Sequence, residues 1–172
     1  MHASPTIRDR HWRFLRDWPG ARHHALCAIG AASVAFIPHR ELLRAFKRRP
    51  TLGFAIWRET LMDAAIFREA ITRNSAKPML ARMAHLFCEL FYRARVAQLN
   101  VGNRVQVPIS LIQLGEALGM AIATVNRALQ RLRASGSIEF HDGELVVLKW
   151  RELQRLADFN PDYLHMKKIS PV

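Results

Sequence analysis

The sequence predicts a mainly α-helical chain with one small β element: a long helix, then a compact unit of short helices closed by a hairpin. Three observations predict this order. Apolar residues in residues 50–73 recur at steps of three and four. Two glycines, Gly115 and Gly119, punctuate a helical apolar pattern over residues 111–130. An Asp142-Gly143 pair separates two β-rich runs within residues 138–148, the signature of a tight hairpin.

Composition bounds the rest. The chain has 172 residues, 26 Lys+Arg against 14 Asp+Glu, and a formal net charge of +12. Half the residues are apolar and 23% are charged, enough to build a core, so wholesale disorder is excluded and one domain or two small ones are expected. The longest apolar run, residues 25–37, is shorter than the roughly 18 residues of a membrane span and is interrupted by Gly30 and Ser33. Asp9, Trp12 and Asp17, with no small-residue cleavage pattern, argue against a secretory signal, so a cytoplasmic protein is expected. Cys27 and Cys88 are too few for a disulfide framework or a four-ligand zinc site and read as ordinary buried thiols. So basic a chain attracts polyanions, either nucleic acid or an anionic membrane surface. The cluster Arg44, Lys47, Arg48 and Arg49 reads as a solvated face.

The first 24 residues show no period, and Trp18-Pro19-Gly20 reads as a turn. The run Ser33-Val34-Ala35-Phe36-Ile37, stopped by Pro38, suits a last strand, with a helix over residues 39–49 after it. Pro50 then opens a helix where a missing N–H costs nothing. Phe54, Trp57, Leu61, Ala64 and Ile71 form a heptad-like seam if Arg68 is allowed to break the series. Ile56, Met62, Ala65, Ile66 and Ala70 lie off that seam, so more than one face needs covering, by the chain's own core or by a twin helix. Residues 74–78, Asn-Ser-Ala-Lys-Pro, read as a hinge. A second amphipathic helix over residues 79–96 places Leu80, Met83, Ala84, Phe87, Leu90, Phe91 and Ala94 on one stripe. A polar turn at residues 100–104 and a brief extended piece at residues 105–108 lead to Ser110, a helix N-cap.

Residues 111–130 carry the most specific signal. Two helices crossing through a short turn need a small residue at their contact, a turn residue tolerant of positive φ, and apolar groups facing a shared core. Gly115 suits the contact and Gly119 the turn. Leu114, Leu118, Met120, Val125, Ala128 and Leu129 supply the apolar positions, which leaves Thr124, Asn126, Arg127, Gln130 and Arg131 outward or flanking. This is a helix-turn-helix pattern, whose second helix enters the major groove of DNA. Arg and Asn there match the edges of guanine and adenine. The hairpin at residues 138–148 reads as a wing, and an amphipathic helix over residues 150–158 precedes a tail whose Tyr163 and Leu164 pack back on the domain.

Other chemistry lacks support. His23, His24 and Cys27 have no fourth ligand nearby, Glu59 and Asp63 read as the wet edge of a helix, and no Gly-x-Gly-x-x-Gly, Walker or Gly-x-Ser-x-Gly motif occurs. No enzyme and no cofactor are expected.

Over roughly residues 34–164 the chain resembles the Crp/Fnr family of bacterial transcription regulators. The resemblance rests on Phe36-Ile37-Pro38, the long helix, Leu114-Gly115-Glu116-x-Leu118-Gly119, Val125-Asn126-Arg127-x-Leu129-x-x-Leu132, and Gly136-x-Ile138 before the wing. It implies a homodimer joined through the long helix, which binds promoter DNA, with RNA polymerase as a further candidate partner and no membrane role. It also implies that Ser110 touches phosphate, Thr124 flanks the groove and Arg127 reads a base. Expected DNA contacts are thus Ser110, Gln113, Ile122, Ala123, Thr124, Asn126, Arg127, Gln130 and Arg131, and the expected dimer seam is Phe54, Trp57, Leu61, Ala64, Arg68 and Ile71. The expected division is a leader and remnant of a sensor β-roll at residues 1–49, a dimerisation helix at 50–74, and a winged helix-turn-helix domain at 75–172 with its core at 110–133. The sequence lacks the family's phosphate cassette for a cyclic nucleotide and its cysteine cluster for an iron–sulfur centre. Ala121-Ile122-Ala123 stands where familiar members place polar base-reading groups. A shortened family member is the favoured expectation. The alternative is a truncated interaction protein that pairs with a full-length relative and antagonises it.

Overall fold

A computed structural model describes residues 33, 35 and 37–166. The described residues fall into two compact units, one ending at Leu61 and one starting at Met62. In the first, α1 (His39–Arg48) follows Pro38 and, after Arg49, α2 (Pro50–Ala76) begins, its residues from Met62 onward belonging to the second. The Phe46 ring lies beside Gly53 of α2, 4.0 Å from where a Cβ would stand, which is ordinary contact distance. Ser33, Ala35 and Ile37 carry no strand, and the rest of that expected strand lies outside the described residues, as do the leader and the His23, His24 and Cys27 group.

The expected hinge at residues 74–78 is corrected. α2 runs on through Asn74, Ser75 and Ala76 and stops only at Lys77, the residue that Pro78 disfavours in helical conformation. The turn-forming side chains are occupied elsewhere. Ser75 Oγ donates back to the carbonyls of Ile71 and Thr72 at 2.9 and 3.2 Å, and Asn74 Nδ2 donates to the Ala117 carbonyl at 3.3 Å. Asn74 is thereby drawn to a distant carbonyl, and Ser75 bonds back within the helix without breaking it.

In the second unit α3 (Met79–Val96) is the central element. Met83, Ala84, Phe87, Phe91 and Ala94 of its expected stripe are buried, with Leu80 and Leu90 packed on them. Around it lie α4 (Leu111–Leu118), α5 (Ile122–Ala134) and α6 (Trp150–Ala157). The hairpin β2 (Ile138–His141) and β3 (Glu144–Val147) turns through Asp142 and Gly143, both at positive φ as a type I′ turn requires. The extended piece is a third strand, β1 (Arg104–Gln106), antiparallel to β3, giving the order β1-β3-β2. A 3₁₀ turn, Pro161–Leu164, brings Leu164 into the core. Cys88 is a buried free thiol, its pKa pushed up by burial, and so is not a nucleophile.

One feature of this core is not written in the apolar pattern. Glu89 on α3 is 6% exposed and Arg73 at the end of α2 is 5% exposed. Arg73 Nη1 and Arg93 Nη1 each approach the Glu89 carboxylate at 3.4 Å, and Tyr163 donates its hydroxyl to it at 2.9 Å. His85 Nε2 lies 3.2 Å from that hydroxyl and 3.6 Å from Glu69 Oε1. Since the Tyr163 proton goes to Glu89, His85 Nε2 is left to donate to the phenol oxygen. The carboxylate is thus neutralised and hydrogen-bonded, the condition for a charge to stay in a core.

Burial, with Arg73 and Lys77 adding to it, lowers the His85 pKa from 6.5 to about 4. The unfolded chain therefore takes up a proton near pH 6.5 that the folded chain refuses until about pH 4, so stability is lost as the pH falls through that window. Chemical denaturation at pH 7.5 and pH 5 should differ by about 2 kcal/mol through this one group. His85→Gln should flatten the profile over the same range, and an unchanged profile would refute the assignment.

Candidate nucleic-acid interface

The pair α4 and α5 is set by its ends. Ser110 caps α4: its Oγ accepts from the Gln113 N–H at 3.2 Å, while Gln113 Oε1 accepts from the Ser110 N–H at 2.9 Å. These bonds form a capping box, each worth on the order of 1 kcal/mol. At the other end Gly119 takes the left-handed conformation at φ 62°, and the Met120 N–H bonds back to the Gly115 carbonyl at 2.8 Å. The Leu118 carbonyl, exposed by the end of the helix, accepts from Arg82 Nη1 at 3.1 Å.

Between them Gly115 is the point of closest approach. A Cβ built on it would lie 2.7 Å from the Met120 carbonyl oxygen and 3.6 Å from Val125 Cγ2. The first figure is inside van der Waals contact, and the atom met is backbone that cannot swing away. With that spacing Leu114, Leu118, Val125, Ala128, Leu129 and Leu132 close a buried core, as expected for five of them from sequence, and Met120 packs at its margin.

The other face of α5 is outside. Ile122, Ala123, Asn126, Arg127, Gln130 and Arg131 are exposed, and Thr124 is half-buried. Thr124 Oγ1 accepts from Arg127 Nη2 at 3.2 Å, which holds the guanidinium over the first turn. Ala123, Arg127, Gln130 and Arg131 fall at i, i+4, i+7 and i+8, a single ridge that carries two cations. α5 contains no acidic residue. Of the expected contacts, then, Ile122, Ala123, Thr124, Asn126, Arg127, Gln130 and Arg131 share one helix, while Ser110 and the half-buried Gln113 sit at the head of α4 with side chains engaged in the cap.

The hairpin flanks this pair. Arg133 donates to the Phe140 carbonyl, tying α5 to β2. Arg104 Nη1 and Gln106 Nε2 bind the Glu144 carboxylate at 2.8 and 3.2 Å across β1 and β3. His141 and Asp142 are exposed at the tip.

On α2, Phe54 and Trp57 are 68% and 59% exposed and Leu61 and Ile71 are also exposed, whereas Ala64 is half-buried and Arg68 faces solvent. Phe67, absent from the expected seam, is 65% exposed. A step of three from Ala64 to Phe67 and of four to Ile71 carries the apolar series through without a break. A strict seven-residue register concealed it by pointing to Arg68 instead. Among the described residues no group of three His, Cys, Asp or Glu could hold a metal ion, and no helix is long and apolar enough to cross a membrane.

Gly115→Ala should lower stability by about 1–3 kcal/mol in chemical denaturation, because Met120 must move to admit the methyl. Gly119→Ala should cost about 1–2 kcal/mol through its left-handed conformation alone. Were Gly115→Ala as stable as the parent, the close approach would be wrong.

A family model of the Crp-like helix-turn-helix domain matches residues 81–156. Among solved structures, FixK2 from Bradyrhizobium japonicum is 22% identical and superposes with a TM-score of 0.63, over 70% of this chain and 59% of that one. A CprK variant complexed with OCPA is 22% identical with a TM-score of 0.53, over 68% of this chain and 53% of that one. The chain thus spans between half and three-fifths of the length of these two relatives. A comparison with curated proteins finds no match. Residues 81–156 thus match the Crp-like helix-turn-helix domain, and the solved structures share the fold.

Proposed function

We propose that this chain is a cytoplasmic transcription regulator that binds promoter DNA as a homodimer, α5 entering the major groove, with RNA polymerase as the machinery it acts upon. The observation that carries this reading is the two-sided α5. Val125 and Leu132 are sealed in the core while Asn126, Arg127, Gln130 and Arg131 stand in solvent with no acid among them. A helix with those side chains outward offers paired donors to guanine, an amide to adenine and cations to flanking phosphates. In this reading Ser110, whose oxygen accepts from Gln113 and whose own proton is left to donate, meets a phosphate beside Gln113. Thr124 steadies Arg127 at the groove wall.

The homodimer is supported by α2. Phe54, Trp57, Leu61, Phe67 and Ile71 present a run of large apolar groups to solvent, which a twin helix covers by knobs-into-holes packing. Arg68 lies at the rim of that seam, next to Ala64 and Ile71.

In band-shift titrations at fixed salt on a duplex selected from a random pool, Arg127→Ala should weaken binding by about 1–3 kcal/mol per half-site and relax the preference at one base pair. Equal affinity for all duplexes before and after the change would contradict direct readout. Sedimentation should give a dimer for the parent chain and a monomer for Phe67→Asp, with fold retained by circular dichroism. A parent chain that stays monomeric alone but pairs with a full-length relative would favour the antagonist instead.

A further inference from the structure

The first turn of α5 presents apolar groups where a base-reading helix commonly presents polar ones. Ile122 is 47% exposed and stands outside the core that Val125 and Leu129 enter; Ala123 beside it is exposed as well. Residues 121–124 include no carboxylate and no amide. Their one hydroxyl oxygen, Thr124 Oγ1, already accepts from Arg127. A cytosine N4 donor brought against this turn would lose its water and gain little. The apolar group on the major-groove edge of a base pair is the C5 methyl of thymine, and it would shed water against Ile122 to the gain of both.

We propose that Ile122, flanked by Ala123, reads a thymine methyl, so that each half-site carries a thymine close to the guanine taken by Arg127. The proposal rests on the DNA-binding reading above and adds the base that the apolar turn selects. The spacing follows from the helix. Ile122 and Ala123 stand four residues ahead of Asn126 and Arg127, about 6 Å along the axis at 1.5 Å per residue. That distance is just under two base-pair steps of about 3.4 Å. Thymine and guanine should therefore fall within about two steps of each other.

The test uses the full chain and a duplex selected from a random pool, remade with each thymine in turn replaced by deoxyuridine, which lacks only the methyl. One position per half-site should show binding weakened about fourfold, the worth of one buried methyl. Ile122→Ala should bind the thymine and uracil duplexes alike while keeping its need for the guanine, and Ile122→Val should keep the discrimination. Ile122 is a surface residue, so circular dichroism should show both variants folded. The proposal is overturned if the parent chain binds every uracil duplex as tightly as the thymine form, if the discrimination survives undiminished in Ile122→Ala, or if selected half-sites hold no thymine near the guanine. Retained guanine dependence in those cases leaves the regulator reading standing. A pool that yields no preferred sequence overturns both.

Discussion

Gly115 meets the Met120 carbonyl at a distance that no side chain could occupy, and the orientation of α5 depends on that contact. Close approach of α4 to the turn lets Val125 fill the space beside the glycine. Leu129 and Leu132 then follow it inward at helical spacing, and the opposite ridge is turned outward as a geometric consequence. Gly119 makes the approach possible by reversing the chain in a conformation that costs other residues about 1–2 kcal/mol. The arginines on the outer ridge are exposed because the inner face is full, so the chemistry offered to a partner is set by packing.

The cations of this basic chain divide between two tasks. Some stay inside or at seams, where they satisfy acceptors that helix ends and burial would otherwise strand. Arg82, beside the neutral amide of Asn74, serves the end of α4, Lys77 serves the carbonyls of Ala157 and Asp158 at the end of α6 at 3.0 and 2.8 Å, and Arg73 and Arg93 serve Glu89. Together they join the last turns of α2 to α3, α4 and α6, so that this part of the long helix and the winged unit form one packed body. Others, such as Arg127 and Arg131, stand in solvent on the outer ridge of α5. Net charge alone could not separate the two groups, since both raise it equally.

Local periodic signals were legible in the sequence. The bounds of α3, the N-cap at Ser110, the two glycines and the Asp-Gly hairpin each depend on residues a few positions apart, where propensity and stereochemistry act directly. Glu89, Arg73 and Tyr163 were not legible as a group, because they are separated by 16 and 74 positions and charged residues in an amphipathic helix read as solvent-facing by default. Asn74 and Ser75 misled for a related reason: their side chains favour turns in isolation but are occupied here by a distant carbonyl and by the helix itself. The extended character of β1 is local, yet its place beside β3 depends on pairing with distant residues, Val105 lying opposite Leu145. Phe67 was hidden by the choice of register. The candidate interface was legible as a set of outward positions, while the Thr124–Arg127 bond and the engagement of Gln113 in the cap required coordinates.

The most direct test of the two-sided α5 is methylation interference on a selected duplex, which reports guanine N7 in the major groove and adenine N3 in the minor groove separately. If the outer ridge enters the major groove of a site bound by two copies, N7 methylation should block binding at two clusters about one helical turn, roughly 34 Å, apart. Interference confined to adenine N3, or none at all, would contradict the account.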